Sequence, residues 1–313
     1  MFFSVAGIEV EPWIPPLVSF VISFFTSTGG VSGAFLLLPF QMSVLGFTSP
    51  SVSPTNQLYN VVAIPGGVYR YIKEGRMVWP LTWIVVIGTL PGVFIGAWLR
   101  IIYLPDPATF KVFAGFVLLY IGIRLILNIT KKKIEDKNSS ETRFAELVKS
   151  YKAQQESNIS SKLPRIKVKE FSLKKVEYEF YGESYSVPMV KVSLISFIVG
   201  IIGGAYGIGG GAVMAPLFVA FFSLPVYTVA GAALMGTLIT SVAGVIFYQI
   251  LAPYYPSMSI APDWLLGFLF GIGGLLGTYF GARFQKHLPA NAIKWILSAA
   301  IVFLAVKYIL SFF

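Results

Sequence analysis

The stretch "GAYGIGGGAVMAPLF", from Gly204 to Phe218, places five glycines within eight residues of an otherwise apolar run. Glycine disfavours helix and frees the backbone, so this run predicts a break in a helix. A phosphate-binding loop would follow a strand and usually carry a Lys-Ser/Thr pair, and the stretch has neither. A helix that restarts near Gly209 would direct N–H groups and the positive end of its dipole towards an anion. The alternative interpretation is a close packing point without a ligand.

The composition indicates an integral membrane protein. Of the 313 residues, 56% are hydrophobic and 12% are charged, whereas about one-quarter of an average soluble domain is charged. Residues 1–69 and 192–282 contain no Lys or Arg, and uncharged apolar runs of about 18 residues or more are typical of membrane-spanning helices. The absence of cysteine excludes disulfides and thiolate sites. The N-terminus lacks the basic residues of a signal peptide and is interpreted as mature.

The charges divide the chain into three regions. Residues 131–188 hold 13 of the 24 Lys and Arg residues and 9 of the 14 Asp and Glu residues, so we expect a solvated segment there. Within it, "VEYEFYGESYSV" (Val176–Val187) alternates apolar and polar residues around Gly182, which suggests a small β-hairpin. The segment separates a first transmembrane repeat, residues 1–130, from a second, residues 189–313.

The two flanking regions resemble each other. At an offset of 177 residues, four positions of the first half match the second: Gly30 with Gly207, Gly33 with Gly210, Pro39 with Pro216, and Val52 with Val229. At an offset of 185, three glycines spaced by four residues match: Gly88 with Gly273, Gly92 with Gly277, and Gly96 with Gly281. An ordered series of matches indicates an internal repeat. The four-residue spacing also favours close backbone contact between helices.

Each half divides into five apolar segments. They cover about 12–28, 31–46, 54–72, 78–100 and 108–129, then 190–206, 208–223, 227–251, 262–285 and 291–312. Because five is odd, the second half enters the membrane from the opposite side. The sequence therefore predicts an all-α membrane protein with a 5+5 inverted repeat, which is typical of secondary transporters. The first two segments of each half have about 16 residues, roughly 24 Å of helix against a core of roughly 30 Å, and are short tilted helices or a re-entrant pair.

The basic residues predict the orientation of the chain. Arg70, Lys73 and Arg76, the Lys-rich segment 131–188, and the basic residues from Arg283 to Lys294 all fall on one side of the predicted topology. The positive-inside rule makes that side cytoplasmic and places the N-terminus outside, in a multi-pass protein of the plasma membrane. Arg100 and Lys111 are exceptions, which we place in a short outside loop with Asp106. The net charge of +10 is thus explained by topology and the lipid bilayer, without a nucleic-acid partner.

The sequence contains no catalytic constellation. The apolar segments carry no Asp or Glu away from their ends, and His287 is the only histidine. We therefore predict no catalytic residues, no metal site and no cofactor, since a metal needs several ligands. The same absence argues against a proton relay of buried carboxylates.

The polar groups inside the apolar segments are small and neutral, and they cluster near the two glycine-rich stretches. They either line a site or join helices through hydrogen bonds. The candidate binding residues are Gly29, Gly30, Ser32, Thr55, Asn56, Gln57, Asn60, Tyr206, Gly207, Gly209, Gly210, Thr237, Thr240 and Ser241.

The second half carries "GIGGGAVMAPLF" followed by "LPVYTVAGAALMGTLITSVAG" (Leu224–Gly244), and the first half carries the related stretch "TGGVSGAFLLLPF". In these stretches both membrane halves resemble the TauE/SafE-type sulfite and organosulfonate exporter family. The resemblance implies transport of small anions such as sulfite or sulfoacetate, usually outward. The chain departs from the family pattern where Thr28 to Gly33 replaces the fuller glycine run.

Three hypotheses follow. The first is a carrier or facilitator that exports a small anion bound between the two glycine-rich helix starts. The second is a transporter of a cation or a neutral solute, bound by the carbonyl ends of half-helices. The third, a membrane-embedded enzyme or scaffold, lacks a catalytic cluster. The sequence is compatible with a homo-oligomer.

Overall fold

The computed structural model describes residues 1–29, 32–73, 75, 77–134, 166–172, 174–180, 183–222, 224, 226–284 and 290–311. The first half contains α1 (Ile14–Gly29), α2 (Ala34–Ser43), α3 (Val52–Ala63), α4 (Pro65–Lys73), α5 (Trp79–Ile102) and α6 (Pro107–Ile134). The second half contains α7 (Met189–Tyr206), α8 (Met214–Phe222), α9 (Val226–Leu251), α10 (Trp264–Phe284) and α11 (Ala290–Leu310). The strands are β1 (Phe2–Phe3), β2 (Ile8–Glu9), β3 (Lys167–Phe171), β4 (Lys175–Phe180) and β5 (Glu183–Pro188).

The protein is mostly helical, and its long helices suit a bilayer. Within the described residues, α5, α6, α7, α9 and α10 are long and apolar enough to cross a membrane, judged by length and composition. At that level the prediction of an all-α membrane protein is confirmed. With ten and nine residues, α2 and α8 extend only about 14–15 Å and are too short to cross. Against the prediction of a short first segment in each half, α7 is long enough to span.

Loops and strands gather at two opposite ends of the helices. At one end, Ser259 accepts a hydrogen bond from Ser51 N–H and donates to Val5 C=O, and the Asp263 carboxylate accepts from Ala6 N–H. We call this end the N-terminal face. At the other end, Ile166 N–H donates to Gly75 C=O, beside the start of α7. We call it the sheet face, because strands β3 to β5 lie there.

Helices of one half pack mainly on helices of the other. Neighbours α5 and α7 run parallel, as do α1 and α10, while α6 and α11 run antiparallel, as do α3 and α9. The directions follow from the glycine contacts. Along α5, Gly88 meets Ser193 and Gly96 meets Ile201, whereas along α6, Gly115 meets Ile309 and Gly122 meets Val302.

The repeated glycines allow the two parallel pairs to approach backbone to backbone. A Cβ atom on Gly92 or Gly96 would clash with the carbonyl oxygens of Phe197 or Ile201 on α7. On α10, a Cβ atom on Gly277 would clash with the Phe20 carbonyl oxygen of α1. The predicted role of these glycines in helix packing is therefore confirmed.

A three-stranded antiparallel sheet covers the sheet face. β4 pairs with β3 and with β5, and the β4–β5 pairing joins Val176 to Val187. The strands lie where the alternating pattern predicts a hairpin, and β3 extends it. Tyr178 of β4 is buried, and its hydroxyl is hydrogen-bonded to that of Thr228 on α9 at 2.9 Å. This bond attaches the sheet to the second half.

Replacing Tyr178 by phenylalanine should lower the stability of the protein by about 1 kcal/mol, because one buried hydrogen bond is removed. Burial raises the pKa of Tyr178 above its usual range, so its hydroxyl stays protonated in neutral solution. Thermal unfolding of the purified protein would measure the change. Tyr254→Phe is the matched control, since that side chain is 75% exposed. Equal melting temperatures for the two variants would contradict the prediction.

Two helix boundaries differ from the sequence prediction. The predicted segment 54–72 is two helices that meet at Ile64, because Pro65 has no backbone N–H with which to continue the hydrogen-bond ladder of α3. The predicted segment 208–223 begins as helix only at Met214, since residues 207–213 form turns. Helix α9, the second-half counterpart of segment 54–72, remains continuous across the position equivalent to Pro65.

Candidate functional site

The glycine-rich stretch forms the turn of a helical hairpin between α7 and α8. Gly207 ends α7 with a φ angle of +87°, and Gly209 has a φ angle of +75°. Both lie in the left-handed region that glycine adopts without steric penalty. α1 and α2 form the equivalent hairpin of the first half. Helix α8 starts at Met214 and not near Gly209, because this backbone conformation does not continue a helix.

Asn56 joins the two hairpins. From the middle of α3, its Nδ2 donates to the Ala34 carbonyl at the start of α2 and to the Gly207 carbonyl in the other hairpin, both at 3.1 Å. Its Oδ1 accepts from Gln41 Nε2 at 3.3 Å. One buried amide thus holds the glycine turn against the first residue of α2.

Tyr206 and Ser53 strengthen the same junction. The Tyr206 hydroxyl donates to the Phe35 carbonyl of α2 at 3.1 Å. The Ser53 hydroxyl donates to the Ala205 carbonyl in the last turn of α7 at 2.9 Å. The carbonyl groups at the end of α7, which have no partner within their own helix, therefore receive side-chain donors from α3.

Asn60 and Thr240 hold the other side of the glycine turn. Asn60 Nδ2 donates to the Ile208 carbonyl at 3.0 Å and lies 3.4 Å from Ser241 Oγ. The Gly210 N–H donates to Thr240 Oγ1 at 2.9 Å, so a group predicted to bind a ligand has a protein partner in this conformation. Thr237 lies against Gly209, and its own hydroxyl donates to the Ala233 carbonyl.

Several buried amide atoms beside this turn lack partners. Gln57 is fully buried against Gly244 of α9, and neither its Oε1 nor its Nε2 makes a hydrogen bond. Asn60 Oδ1 and Gln41 Oε1 are likewise buried and unpaired. Buried polar atoms are normally satisfied, so their clustering next to the two hairpins points to a ligand or water.

The remaining predicted residues take other positions. Thr55 lies away from the glycine turn, where its hydroxyl donates to Ser51 C=O and accepts from Asp263 N–H. Ser32 Oγ accepts from Ala34 N–H at 3.3 Å, just before the start of α2. Gly29 ends α1, and Gly30 lies outside the described residues.

The charges around the site are sparse. Across the described part of the chain, no group of three or more His, Cys, Asp or Glu could hold a metal ion. Among the described residues, the buried charged side chains are Asp263 and Arg100. The Asp263 carboxylate accepts hydrogen bonds from the N–H groups of Ala6 and Leu266. Arg100 lies in the last turn of α5 and is 0% exposed, so its placement in an outside loop was wrong. The sequence contains a signal for this burial, since Arg100 continues the four-residue spacing of Gly92 and Gly96.

The chain was compared with known proteins. The family model described as "Sulfite exporter TauE/SafE" matches residues 16–308. The probable membrane transporter protein YunE of Bacillus subtilis is 22% identical over 287 residues, which cover 90% of each chain. The probable membrane transporter protein YdhB of the same organism is 30% identical over 119 residues, 38% of this chain and 45% of that protein. No solved structure matches the chain significantly. The family model covers nearly the whole described membrane region, and the chain therefore belongs to the TauE/SafE family of membrane transporters.

Proposed function

We propose that the protein is a secondary carrier or facilitator that exports small anions such as sulfite or organosulfonates. The observation that carries the proposal is the meeting of both helical hairpins on Asn56 and Asn60, in a buried cluster without a carboxylate among the described residues. Broken helices at matching positions are where transporters of known architecture bind substrate. The absence of a carboxylate among the described residues of this cluster and the free donor Gln57 Nε2 support an anion over a multivalent cation.

A 5+5 inverted repeat accounts for the packing of the helices. The packing pattern is the same when the two halves are exchanged. α1, the first helix of one half, packs on α10, and α7, the first helix of the other half, packs on α5. α5 and α10 are the helices of the fourth predicted segment in their halves. The equivalent helices α6 and α11 are antiparallel, as a two-fold axis in the membrane plane would require. Gln57 contacts Gly244, and Gly67 lies against Leu234. At the offset of 177 residues, Gln57 corresponds to Leu234 and Gly67 to Gly244, so the two contacts are equivalent. These relations support the inversion.

The proposed orientation puts the sheet face in the cytoplasm and the N-terminal face outside the plasma membrane. Arg70 and Lys73 end α4 at the sheet face, where strands β3 to β5 of the Lys-rich segment also lie. The positive-inside rule supports this assignment. On this scheme residues 1–130 and 189–313 are the transmembrane repeats, and residues 131–188 form a cytoplasmic segment between them.

A transporter of a cation or a neutral solute is the second candidate. The unpaired oxygens of Gln41, Gln57 and Asn60 favour it, because buried acceptors attract a cation or a hydrogen-bond donor. Gln57 Nε2 is unpaired as well, so this side chain offers donors to an anion equally. Ion competition separates the two candidates. Sulfite or sulfate should inhibit uptake through an anion site, and most cations should not.

Flux of radiolabelled sulfite and sulfoacetate into proteoliposomes tests the proposed function directly. We expect flux above that of empty vesicles, with mutual competition between the two anions. Flux equal to that of empty vesicles for every small anion in the panel would refute an anion transporter. Transport that instead follows a cation gradient and ignores competing anions would favour the second candidate.

Replacing Asn60 by leucine should lower the anion flux at least about tenfold, the factor that corresponds to about 1.4 kcal/mol. The substitution keeps the number and branching of the side-chain heavy atoms but removes the amide that holds Ile208 C=O, and a lost buried partner costs about 1–3 kcal/mol. Ser298→Ala is the control, because that buried hydroxyl donates only locally to Trp295 C=O. Equal flux in wild type and Asn60→Leu, with equal amounts of protein in the vesicles, would show that Asn60 is not part of the binding site.

A further inference from the structure

Arg100 is a buried cation near the N-terminal face. It lies one turn beyond Gly96 on α5, and its side chain is 0% exposed. Within the residues that the structure describes, no carboxylate lies in salt-bridge range of it. Asp106 interacts with it only at longer range, and the Asp106 carboxylate accepts hydrogen bonds from Thr109 N–H and Oγ1. A buried charge without a partner is strongly unfavourable, which makes this position unusual.

The guanidinium group is held firmly but satisfied only in part. Nη1 donates to the Leu104 carbonyl, and Cζ lies 3.7 Å from the ring centroid of Phe110 on α6. Nε and Nη2 are buried and have no hydrogen-bond partner. These two nitrogens form one edge of the guanidinium plane, with parallel N–H groups that match two oxygens on a single carbon or sulfur atom.

Polar groups lead from this edge to the glycine turn. Tyr248 of α9 lies within electrostatic range of Arg100. The Tyr248 hydroxyl donates to the Gly204 carbonyl at 3.3 Å, and the Ser53 hydroxyl donates to the neighbouring Ala205 carbonyl. Tyr248 thus lies between Arg100 and the end of α7, beside the candidate site.

We propose that Arg100 is a second binding residue of the transport pathway, where the free Nε–Nη2 edge binds an oxyanion in a bidentate manner between the N-terminal face and the hairpin site. The inference rests on the proposed function and narrows its substrate class. The ligand carries two or more oxygens on one centre, as sulfite, sulfonates and carboxylates do, whereas a halide is a single atom and cannot give each of the two donors its own acceptor. Tyr248 and Ser53 lie along the path between the two sites.

The test compares Arg100→Lys with Lys111→Gln in the proteoliposome flux assay. Lysine keeps the charge but lacks the two parallel N–H groups of the guanidinium edge. We expect Arg100→Lys to raise the KM for sulfite at least tenfold, to change bromide flux less than twofold, and to leave the melting temperature unchanged. Lys111→Gln removes a basic residue of α6 near the same face and should behave as wild type.

The outcomes separate the inference from the proposed function. Sulfite flux in the wild type with an unchanged KM in Arg100→Lys overturns the role of Arg100 alone. Equal losses of sulfite and bromide flux overturn bidentate binding. No anion flux in the wild type refutes both proposals. If Arg100→Lys does not give monodisperse protein, Arg100→Gln, which removes the buried charge and the two parallel N–H groups, replaces it. If neither variant folds, Arg100 serves the joint between α5 and α6 and the inference is wrong.

Discussion

Replacing Gly207 by alanine should abolish anion flux and sharply lower the yield of folded protein. The φ angle of Gly207 is +87°, and an L-residue pays about 1–2 kcal/mol for a left-handed conformation. The added Cβ would also clash with the Ser53 carbonyl oxygen and lie 2.7 Å from the Ser53 Cα atom. Overpacking of this kind costs about 1–3 kcal/mol. Together, the two effects should destabilise the turn that Asn56 holds by about 2–5 kcal/mol. Flux and size-exclusion profiles would measure both effects.

Gly7→Ala isolates the backbone contribution. Gly7 has a φ angle of +67° in the loop between β1 and β2, and a Cβ atom there would meet nothing within 4 Å. This variant should lose about 1–2 kcal/mol of stability and keep its flux. Similar behaviour of the two variants would show that contact with Ser53 does not matter, and would contradict the proposed close fit of the glycine turn.

Replacing Gly96 by alanine should destabilise the protein by about 3 kcal/mol or more, towards the upper end of overpacking effects. The new Cβ would clash with the Ile201 carbonyl oxygen and lie 2.8 Å from the Ala205 backbone nitrogen. Two backbones in contact cannot yield as a flexible side chain does, so α5 and α7 must separate along their length. Thermal unfolding in detergent and the fraction of monodisperse protein would report the change.

The repeat supplies a matched comparison for this prediction. Gly277→Ala makes the equivalent change between α10 and α1, where Cβ would clash with the Phe20 carbonyl oxygen, and a comparable loss is expected. Gly67→Ala is the control, since its Cβ would lie 3.6 Å from Leu234 Cδ1, an ordinary contact. Alanine has the higher helix propensity, so Gly67→Ala should not be destabilising. A loss as large as that of Gly96→Ala would show that close packing is not the reason for glycine.

The sequence predicts most of the architecture because a bilayer leaves few alternatives. Each of the ten predicted apolar segments contains a helix, and the glycines spaced by four residues lie where helices touch. The start of α8 was predicted five residues too early, because consecutive glycines allow both a helix start and a turn, and only the packing around Gly207 decides. The break at Ile64 was missed although Pro65 follows it, since prolines are common inside membrane helices.

The candidate site was predictable as a region and less so by residue. A polar run on one helix cannot face one point, because successive side chains are about 100° apart. Asn56 and Asn60, four residues apart, share the side that faces the hairpins, while Thr55 turns to Asp263. The membership of the TauE/SafE family, suggested by the paired glycine stretches, is confirmed by the match over residues 16–308. Arg100 was misplaced because its burial depends on Phe110 and Leu104, which the segment boundaries do not reveal.

The exchange of partners between the halves limits the order in which the chain can assemble during synthesis. α1 emerges first from the ribosome, yet its native neighbour α10 is completed only after residue 284. The hydroxyls of Ser19, Thr26 and Ser27 donate to carbonyls of α1 itself, so the new helix satisfies them in lipid without a partner. In each parallel pair, α1 with α10 and α5 with α7, the two helices come from different halves of the chain. Two separately translated halves must therefore meet in the bilayer before either attains its native packing.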